Sequence, residues 1–366
     1  MTALKPGSVI GILGGGQLGR MLAMAAARFS YKVIIFDPDA NAPAAQAANE
    51  HIKAGYDDSA ALKAFARRCD VVTYEFENVP VAAAEIIAAV VPVFPKPSAL
   101  EAAQDRVVEK TFLNGIGVET APFRAVESPQ DLNDGLAAFG GSGVLKTRRF
   151  GYDGKGQAVL KSASAAEASK AFSELGGAGL ILEGFVPFDA EISVIAARGI
   201  DGAIECYDPA RNVHQNGILA SSSVPSGFSR AAEEEAKGAA AAILEALDYV
   251  GVIGVEFFVL GNGRLLVNEI APRVHNSGHW TEAACLISQF EQHIRAVSGL
   301  PLGDPSRHFD SVMENLIGFD VERAVALAAE DGVFMHLYGK AEPRPGRKMG
   351  HFTRVMKRDD EAALKC

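Results

Sequence analysis

The chain has 366 residues, 48% hydrophobic and 22% charged, a composition typical of a globular protein with two or three domains. Its formal net charge of −10 at pH 7 argues against a nucleic-acid partner, which would require a basic face. The sequence has no apolar run long enough for a signal peptide or a membrane span. Its four cysteines are too scattered for a disulfide framework or a zinc knuckle, so we expect a cytoplasmic protein without a membrane partner.

Residues 8–100 alternate between apolar strands and helices. Strands are predicted at 8–13, 32–36 and 70–74, and an alanine-rich helix runs to about residue 29. This alternation predicts a parallel sheet with helices on both faces, the α/β class. Two prolines at 95 and 97 interrupt the pattern, so we place the first domain at residues 1–98.

A glycine motif lies between the first strand and the first helix. Gly14, Gly16 and Gly19 form G-x-G-x-x-G, whose backbone N–H groups and helix dipole can hold a phosphate. Asp37 ends the second strand, where dinucleotide-binding folds keep an acid for the ribose. A nicotinamide-dependent dehydrogenase is therefore an alternative function, and a tight turn that packs helix on strand is a purely structural alternative.

Residues 99–300 have a mixed α+β pattern, which we assign to a second domain. A helix is expected over 99–114, and strands are expected near 144–147, 157–161, 179–183 and 190–197. Residues from about 117 to 187 should form a separate lobe of this domain. A linker at 299–305 then begins a third region, 301–366, which is too short for an independent core.

A second glycine-rich stretch runs from Lys146 to Gln157. Gly151, Gly154 and Gly156 lie among cations there, and their amides can fold over a triphosphate as a flap. The chain has no Walker sequence, so this would be a different nucleotide-binding solution. The alternative is a solvated basic hairpin.

Residues 180–191 offer further parts of a nucleotide site. An apolar strand runs from Leu180 into an extended connector that ends near Phe188, and the backbone of this connector can meet a purine edge. Glu191 follows at the start of a strand, where it suits ribose hydroxyls. Neither feature is specific when taken alone.

Two glutamates are expected to face each other across a hairpin. Centring the turn on Asn-Gly at 262–263 pairs Phe258 with Val267 and Glu256 with Glu269. Opposed like charges cost stability, and Mg²⁺ prefers carboxylates together with substrate phosphates, so the pair suits a magnesium site. The alternative is that both glutamates lie on a solvated face.

Polar side chains follow the second glutamate directly. Arg273, His275 and Asn276 supply a guanidinium, an imidazole and an amide, which with Mg²⁺ suit the stabilisation of a mixed anhydride. His275 and His279 have the spacing of metal ligands on one helix face. The glutamate-helix context of a zinc site is missing, so we do not expect zinc.

In combination these motifs resemble the ATP-grasp superfamily and, within it, the N5-carboxyaminoimidazole ribonucleotide synthase family. The resemblance extends from Gly-Gly-Gly-Gln-Leu-Gly-Arg-Met at 14–21 to Arg-Pro-Gly-Arg-Lys-Met-Gly-His at 344–351, almost the whole chain. Its most specific motifs are Asn-Glu-Ile-Ala-Pro-Arg-Val-His-Asn-Ser-Gly-His at 268–279 and Gly-Tyr-Asp-Gly-Lys-Gly-Gln at 151–157. The resemblance implies an ATP-grasp fold with a Rossmann-like N-terminal domain, a central ATP-grasp domain and a small C-terminal lobe.

The resemblance also implies the site residues. It implies ATP contacts at Arg106, Lys146, Gly151, Tyr152, Asp153, Gly154, Lys155, Gly156, Gln157, Glu183, Gly184, Phe185, Val186, Glu191, His214, Asn268 and Glu269. It places 5-aminoimidazole ribonucleotide at Gly16, Gln17, Leu18, Glu75, Lys340, Arg347 and Lys348, and Mg²⁺ (with Mn²⁺ as an alternative) at Glu256 and Glu269.

Reaction chemistry is implied at four residues. Arg273, His275 and Asn276 would face bicarbonate and its phosphorylated form, and Asp153 would accept a proton from the attacking amine. Phe150 departs from the glycine of the family pattern, which bears on the hinge of the flap.

The implied activity is carboxylation of 5-aminoimidazole ribonucleotide with ATP and bicarbonate, through carboxyphosphate, in purine biosynthesis. The resemblance also implies a homodimer that passes its product to N5-carboxyaminoimidazole ribonucleotide mutase. Formate-dependent glycinamide ribonucleotide transformylase or biotin carboxylase would share the carboxylate pair but not the basic tail at 344–348. A non-catalytic purine-nucleotide-binding regulator would not require two opposed glutamates.

Overall fold

The computed structural model of the protein describes residues 2–149, 151 and 156–358. Its N-terminal part is the expected parallel sheet, with four strands in the order β3-β2-β1-β4, one more than the three predicted. The elements are β1 (Val9–Leu13), α1 (Gln17–Ala27), β2 (Lys32–Phe36), a 3₁₀ turn (Pro43–Gln46), β3 (Glu50–Ile52), α2 (Ser59–Ala66), β4 (Val71–Tyr74) and α3 (Val81–Ala88). The sequence of β3 is short and polar, which is why it gave no strand signal.

Two helices replace the single helix expected over 99–114. They are α4 (Pro97–Gln104) and α5 (Arg106–Gly115). Asp105 between them is extended, with φ −123° and ψ 114°, and its carboxylate accepts the N–H of Val107 at 3.0 Å. This capping starts a new helix in a new direction, and α5 thereby reaches the central hairpin.

A small antiparallel sheet forms the expected separate lobe, with the strand order β5-β8-β6-β7. Its elements are β5 (Phe123–Val126), α6 (Pro129–Ala138), β6 (Ser142–Thr147), β7 (Gln157–Lys161), α7 (Ala165–Glu174) and β8 (Leu180–Gly184). Both helices pack on one face of the sheet over a core that includes Leu145 and Leu182.

A large sheet of nine described strands forms the centre of the molecule. Its order is β14-β13-β9-β11-β12-β15-β17-β16, with β10 paired to β9. The strands are β9 (Phe188–Arg198), β10 (Ile204–Cys206), β11 (Ala210–Gln215), β12 (Ile218–Val224), β13 (Gly251–Leu260), β14 (Leu265–Ala271), β15 (Phe309–Ile317), β16 (Val333–Leu337) and β17 (Lys348–Lys357). The remaining helices are α8 (Arg230–Ala246), α9 (Thr281–Ala284), α10 (Gln289–Ser298) and α11 (Ala324–Leu327), with 3₁₀ turns at Asn276–Gly278 and Gly318–Arg323.

One hydrophobic core joins the N-terminal sheet to the large sheet. It contains Ile10 and Met21 from the first sheet and its helix, and Tyr207, Trp280 and Phe290 from the second region, all fully buried or nearly so. This shared core fixes the glycine turn relative to the large sheet. No described helix is both long and apolar enough to cross a membrane.

Candidate active site

The two glutamates of the central hairpin are cross-strand neighbours, as expected. Glu256 on β13 pairs with Glu269 on β14. The turn differs from the predicted two-residue form, which needs positive φ at both central residues. Here Gly263 has φ +82°, whereas Asn262 does not have a positive φ. The N–H of Leu260 donates to the carbonyl of Arg264 at 2.9 Å, so the loop contains residues 261–263 and is one residue longer than predicted.

A bulge corrects the resulting one-residue slip. Phe258 pairs with Leu266, not with Val267 as predicted, and the register then shifts so that Asn268 is left over. Without this bulge Glu269 would point to the other face of the sheet, because side chains alternate along a strand. The predicted pairing of the glutamates is therefore confirmed, but the register of the hairpin that led to it was wrong.

Helix α5 holds the bulge in place. The Lys110 ammonium is fully buried and donates a hydrogen bond to the carbonyl oxygen of Asn268 at 3.0 Å. One turn earlier, Arg106 Nη1 donates to Glu269 Oε2 at 3.0 Å. Both cations lie on the helix face that packs on β14, so the helix fixes the backbone and the carboxylate of the site together.

The Glu109 carboxylate completes this clamp, because its Oε1 accepts the N–H of Ile270 at 2.7 Å. Burial outweighs the nearby cations and raises the pKa of Glu109 from 4.5 to about 7. When folding raises the pKa of a carboxyl group, the protein loses stability as the pH rises from the pKa of the unfolded state to the pKa of the folded state.

Glu109→Gln keeps the acceptor oxygen and removes the charge. We expect it to match the wild type in free energy of unfolding near pH 4.5 and to exceed it at pH 8, by up to roughly 3 kcal/mol. Urea unfolding across this pH range measures the difference. If the difference in free energy of unfolding does not change with pH, then folding does not raise the pKa of Glu109.

The carboxylates of the pair have opposite electrostatic environments. Burial, followed by the charge of Glu269, raises the pKa of Glu256. Burial also opposes ionisation of Glu269, but Arg106 and Lys146 outweigh it and lower the pKa of that carboxyl. The side chains are 12% and 38% exposed, respectively, so the pair is accessible from the solvent side.

These residues fit a hard divalent cation. Two carboxylates face each other, and the side-chain oxygen of Asn268 is buried without a hydrogen-bond partner among the described residues. In the described part of the chain no three His, Cys, Asp or Glu side chains gather as a metal site of their own. Mg²⁺ would therefore have to take its other oxygen ligands from substrate, as Mg²⁺ in nucleotide sites does.

A second charged cluster links the small lobe to this site. Glu183 on β8 accepts from Lys146 of β6 at 2.9 Å and lies 3.6 Å from the Lys110 ammonium. Burial lowers the pKa of Lys146 although Glu183 opposes this effect. The side chains of the cluster are nearly enclosed, so an anion that enters there meets little competition from water.

His214 and Glu191 form a further polar pair beside the carboxylates. His214 Nδ1 lies 2.8 Å from Glu191 Oε2. Burial lowers the pKa of His214, but the bond to Glu191 and the charges of Glu256 and Glu269 outweigh burial and raise it.

Contacts link several of the implied ATP residues. Arg106 binds Glu269, Lys146 binds Glu183, His214 binds Glu191, and the carbonyl of Asn268 accepts from Lys110. Gly184 ends β8, and Phe185 and Val186 follow in the connector to β9, where they line a pocket with Gly261 and Asn262 of the hairpin turn. Gly156 accepts the N–H of Thr147 at 2.8 Å, and Gln157 begins β7. The implied residues Tyr152, Asp153, Gly154 and Lys155, together with Phe150, lie outside the described residues, whereas Gly151 is among them.

Arg273 is bound to a carboxylate of the N-terminal domain. Its Nε and Nη2 donate to the two oxygens of Glu77, the second bond at 2.9 Å, and its Nη1 donates to the Val274 carbonyl at 2.9 Å. Burial alone would raise the pKa of Glu77, but Arg273 outweighs burial and lowers it to about 2.

His275 lies close to both this ion pair and the carboxylates, and Asn276 follows it in the chain. His275 Nε2 is 3.6 Å from Glu256 Oε1, and burial lowers the pKa of His275 to about 3. Both polar side-chain atoms of Asn276 are buried and have no partner among the described residues. An amide in this condition is ready to bind a small polar ligand. His279 is buried and its ring stacks on that of His351, so it is not placed to bind a metal ion.

The glycine turn is occupied by protein carboxylates. Glu75 accepts the N–H groups of Gly16 at 2.8 Å and Gly19 at 3.0 Å. The sequence predicted a phosphate on these amides, and the structure corrects this. At this helix start, only the N–H groups of Gln17 and Leu18 have no acceptor among the described residues.

The basic residues of the C-terminal lobe divide between two places. Lys348 is close enough to act on the pKa values of Glu256 and His275, and its carbonyl accepts from Lys340 Nζ at 2.7 Å. Arg347 donates to the Glu342 carbonyl at 2.9 Å within its own lobe.

Several residues of the site were missed at the sequence level. They are Glu77, Asp105, Glu109, Lys110, Ser277 and Gln289. Only Glu109 and Lys110 had a usable signal, because with Arg106 they share one helix face at positions i, i+3 and i+4.

Three family models match the chain in consecutive segments. The ribonucleotide synthetase preATP-grasp domain matches residues 8–104, the ATP-grasp domain 111–290, and the phosphoribosylaminoimidazole carboxylase C-terminal domain 311–365. Each segment corresponds to one of the regions described above.

Similar proteins carry one name. N5-carboxyaminoimidazole ribonucleotide synthase of Brucella melitensis is 60% identical over 357 residues, covering 98% of this chain and 99% of its own. The structure of N5-carboxyaminoimidazole synthetase from Staphylococcus aureus with ADP has a TM-score of 0.93 and 35% identity over 100% of this chain and 97% of that one.

A third relative extends the comparison to a fungus. The Aspergillus clavatus enzyme with ADP and 5-aminoimidazole ribonucleotide has a TM-score of 0.90 and 32% identity over 98% and 96% of the two chains. Because sequence identity, the three segment matches and the whole fold agree over nearly the full length, the chain belongs to the N5-carboxyaminoimidazole ribonucleotide synthase family of ATP-grasp enzymes.

Proposed function

We propose that the protein carboxylates 5-aminoimidazole ribonucleotide with ATP and bicarbonate, giving N5-carboxyaminoimidazole ribonucleotide, ADP and phosphate. The observation that carries this proposal is the opposed Glu256 and Glu269 pair with the orphaned Asn276 amide nearby. This arrangement supports a phosphoryl-transfer site close to an amide that can bind a small polar substrate. The related Aspergillus clavatus structure contains both ADP and 5-aminoimidazole ribonucleotide.

The reaction has two steps. An oxygen of bicarbonate attacks the γ-phosphorus of ATP, the bond to ADP breaks, and carboxyphosphate forms. The exocyclic amine of the ribonucleotide then forms a bond to the carboxyl carbon, directly or after CO₂ release, while the bond to phosphate breaks and the amine loses a proton. Both steps depend on charge neutralisation and positioning more than on covalent help from the protein.

The described side chains supply these two needs. Lys146 and Arg106 are partly buried cations, bound to Glu183 and Glu269 respectively, and the phosphates of ATP would lie between them. Asn276 and His275 offer neutral hydrogen-bond donors to the carboxyl group of carboxyphosphate. These donors can orient the carboxyl group without placing a positive charge beside it. Mg²⁺ held by Glu256 and Glu269 would supply neutralisation of the phosphate charge.

ADP release measured with bicarbonate, with and without 5-aminoimidazole ribonucleotide, tests the proposal. We expect release that requires bicarbonate and is increased by the ribonucleotide. Formate with glycinamide ribonucleotide, and biotin, serve as alternative substrates. Turnover with one of these and none with 5-aminoimidazole ribonucleotide would contradict the proposed substrate.

A dehydrogenase is disfavoured by the surroundings of Asp37. Its Oδ2 accepts both the N–H of Gly15 at 2.7 Å and the hydroxyl of Tyr56 at 3.1 Å. The carboxylate is therefore used to support the glycine turn and is not directed at a ribose.

Arg347→Ala should weaken binding of the ribonucleotide. We propose that the phosphate of the ribonucleotide binds the N–H groups of Gln17 and Leu18 and the side chains of Lys340 and Arg347. Gln46 binds the C-terminal lobe at Gly339 at 3.0 Å, which brings Lys340 toward the start of α1. Loss of a charge-assisted bond of roughly 1.5–3 kcal/mol should raise the KM for the ribonucleotide about tenfold or more. Initial-rate kinetics measure this, with the KM for ATP as internal control, and equal losses for both substrates would indicate domain docking instead.

We also propose that the protein acts as a homodimer and that its product passes to N5-carboxyaminoimidazole ribonucleotide mutase. Light scattering on the purified protein measures the oligomeric state. A coupled assay with and without the mutase measures the transfer of the product.

A further inference from the structure

The backbone of His275 is held from both sides by one buried side chain. Gln289 Oε1 accepts the N–H of His275 at 2.8 Å, and Gln289 Nε2 donates to the carbonyl of His275 at 2.7 Å. Gln289 has no exposed surface. The peptide units that carry the imidazole therefore have a fixed orientation.

The ring itself lies on a glycine. A Cβ atom added at Gly254 would be only 2.6 Å from His275 Cβ and 2.9 Å from His275 Cγ. The ring therefore approaches the β13 backbone more closely than a side chain there would allow, which leaves it little freedom to rotate.

Two donors of Ser277 point at His275 Nδ1. The Ser277 hydroxyl lies 2.8 Å from this nitrogen, and the Ser277 backbone N–H donates to it at 3.4 Å. A backbone N–H can only donate, so Nδ1 has to present its lone pair. The ring proton is consequently on Nε2.

A second serine fixes the direction of the Ser277 hydroxyl. Ser193 Oγ donates to Ser277 Oγ at 2.7 Å, and both serines are buried, with 1% and 0% exposure. With its oxygen engaged by Ser193, Ser277 directs its own proton to the imidazole. Ser193 is the cross-strand partner of Glu256, so this hydrogen-bonded chain begins beside the carboxylate pair.

The other end of the ring faces the site. Nε2 is 3.6 Å from Glu256 Oε1, so the hydrogen on Nε2 lies on the side of the carboxylate pair. A neutral donor at this place can bind an oxygen of bicarbonate or of carboxyphosphate, and it has no lone pair there to accept a proton.

We infer that Ser193 and Ser277 are positioning residues that hold His275 as its Nε2–H tautomer, so that His275 donates a hydrogen bond to the carboxyl group under transfer and does not serve as a base. The inference rests on the proposed function for the identity of that carboxyl group. The tautomer itself follows from the geometry alone.

Long-range ¹H–¹⁵N correlation spectra of the imidazole rings in the ¹⁵N-labelled full chain test the tautomer, with His275→Gln to assign the signals. We expect a protonated Nε2 and an unprotonated Nδ1 for His275 in the wild type. In Ser277→Ala only the long 3.4 Å backbone contact remains at Nδ1, so we expect the second tautomer to become populated and the two nitrogen shifts to move toward each other. A wild-type His275 that is protonated at Nδ1 would overturn the inference.

Kinetics of the same variants give the second readout. We expect Ser277→Ala to lower kcat of bicarbonate-dependent ADP release about three- to tenfold, the range of one net hydrogen bond, and to leave the KM for ATP unchanged. Ser298→Ala, which removes another fully buried serine hydroxyl at the end of α10, is the matched control and should leave both readouts unchanged.

Should Ser277→Ala fail to fold, Ser193→Ala decides the question with the same spectra and rates. An unchanged tautomer and unchanged kcat in a folded variant would overturn the positioning role. If the wild type releases no ADP with bicarbonate, the proposed function fails, whereas the spectra still decide which nitrogen carries the proton.

Discussion

Glu269→Gln is expected to abolish ADP release while the protein stays folded. The substitution removes one of two carboxylates from the site where the γ-phosphate and Mg²⁺ would meet, and it leaves Arg106 with a weaker acceptor. Loss of several kcal/mol of transition-state stabilisation corresponds to a decrease in kcat/KM of roughly a hundredfold or more. Steady-state ADP release measures the effect, and thermal unfolding checks the fold.

The same hairpin offers a matched control. Glu119 forms an ion pair with Arg264 near the hairpin turn, and their side chains are 60% and 58% exposed. Glu119→Gln makes the same chemical change outside the site, where an exposed pair contributes about 0–1 kcal/mol. It should retain activity. Normal ADP production by folded Glu269→Gln would contradict the assigned role of the carboxylate pair.

Arg273→Met is expected to lose activity and stability together. It leaves the Glu77 carboxylate without its counter-ion in a partly enclosed site. Because Glu77 is 29% exposed, the cost should be about 2–3 kcal/mol, below the roughly 3–5 kcal/mol typical of a fully buried pair. Urea unfolding measures the stability, and ADP release measures the activity.

A double variant separates the two effects. Glu77→Gln combined with Arg273→Met removes the unpaired charge, so most of the stability should return while ADP release stays absent. Recovery of activity in the double variant would show that Arg273 only neutralises Glu77.

The ion pair should also have a pH signature. The pKa of Glu77 is lowered from 4.5 to about 2. Its stabilisation is therefore present above pH 4.5 and is lost as the pH falls toward 2. The wild type and the Glu77→Gln variant should accordingly converge in free energy of unfolding over that range.

The central hairpin shows what a sequence can and cannot specify. Alternating apolar residues and the Asn-Gly pair were sufficient to predict the facing of Glu256 and Glu269. The extra loop residue and the bulge at Asn268 cancel each other, so the prediction succeeded despite a wrong register. The bulge depends on side chains of α5 more than 150 positions away, and a local pattern contains no information about them.

The prediction of a phosphate on the Gly16 and Gly19 amides was wrong for a related reason. Its spacing predicts that a helix start offers N–H groups to an anion, and it does so. The anion on two of these groups is Glu75, which lies 59 and 56 positions away from Gly16 and Gly19. Sequence spacing identified the kind of partner but could not distinguish a protein carboxylate from a substrate phosphate.

The continuity of the large sheet into the C-terminal lobe affects how the chain reaches its native state. β15 forms its ladder with β12, so Glu314 pairs with Ser221, more than ninety positions upstream. During synthesis β12 would leave the ribosome long before its partner exists, with one edge open to pairing with other chains. The large sheet can therefore be completed only after translation is nearly finished, and until then the edge of β12 is open to pairing with other chains.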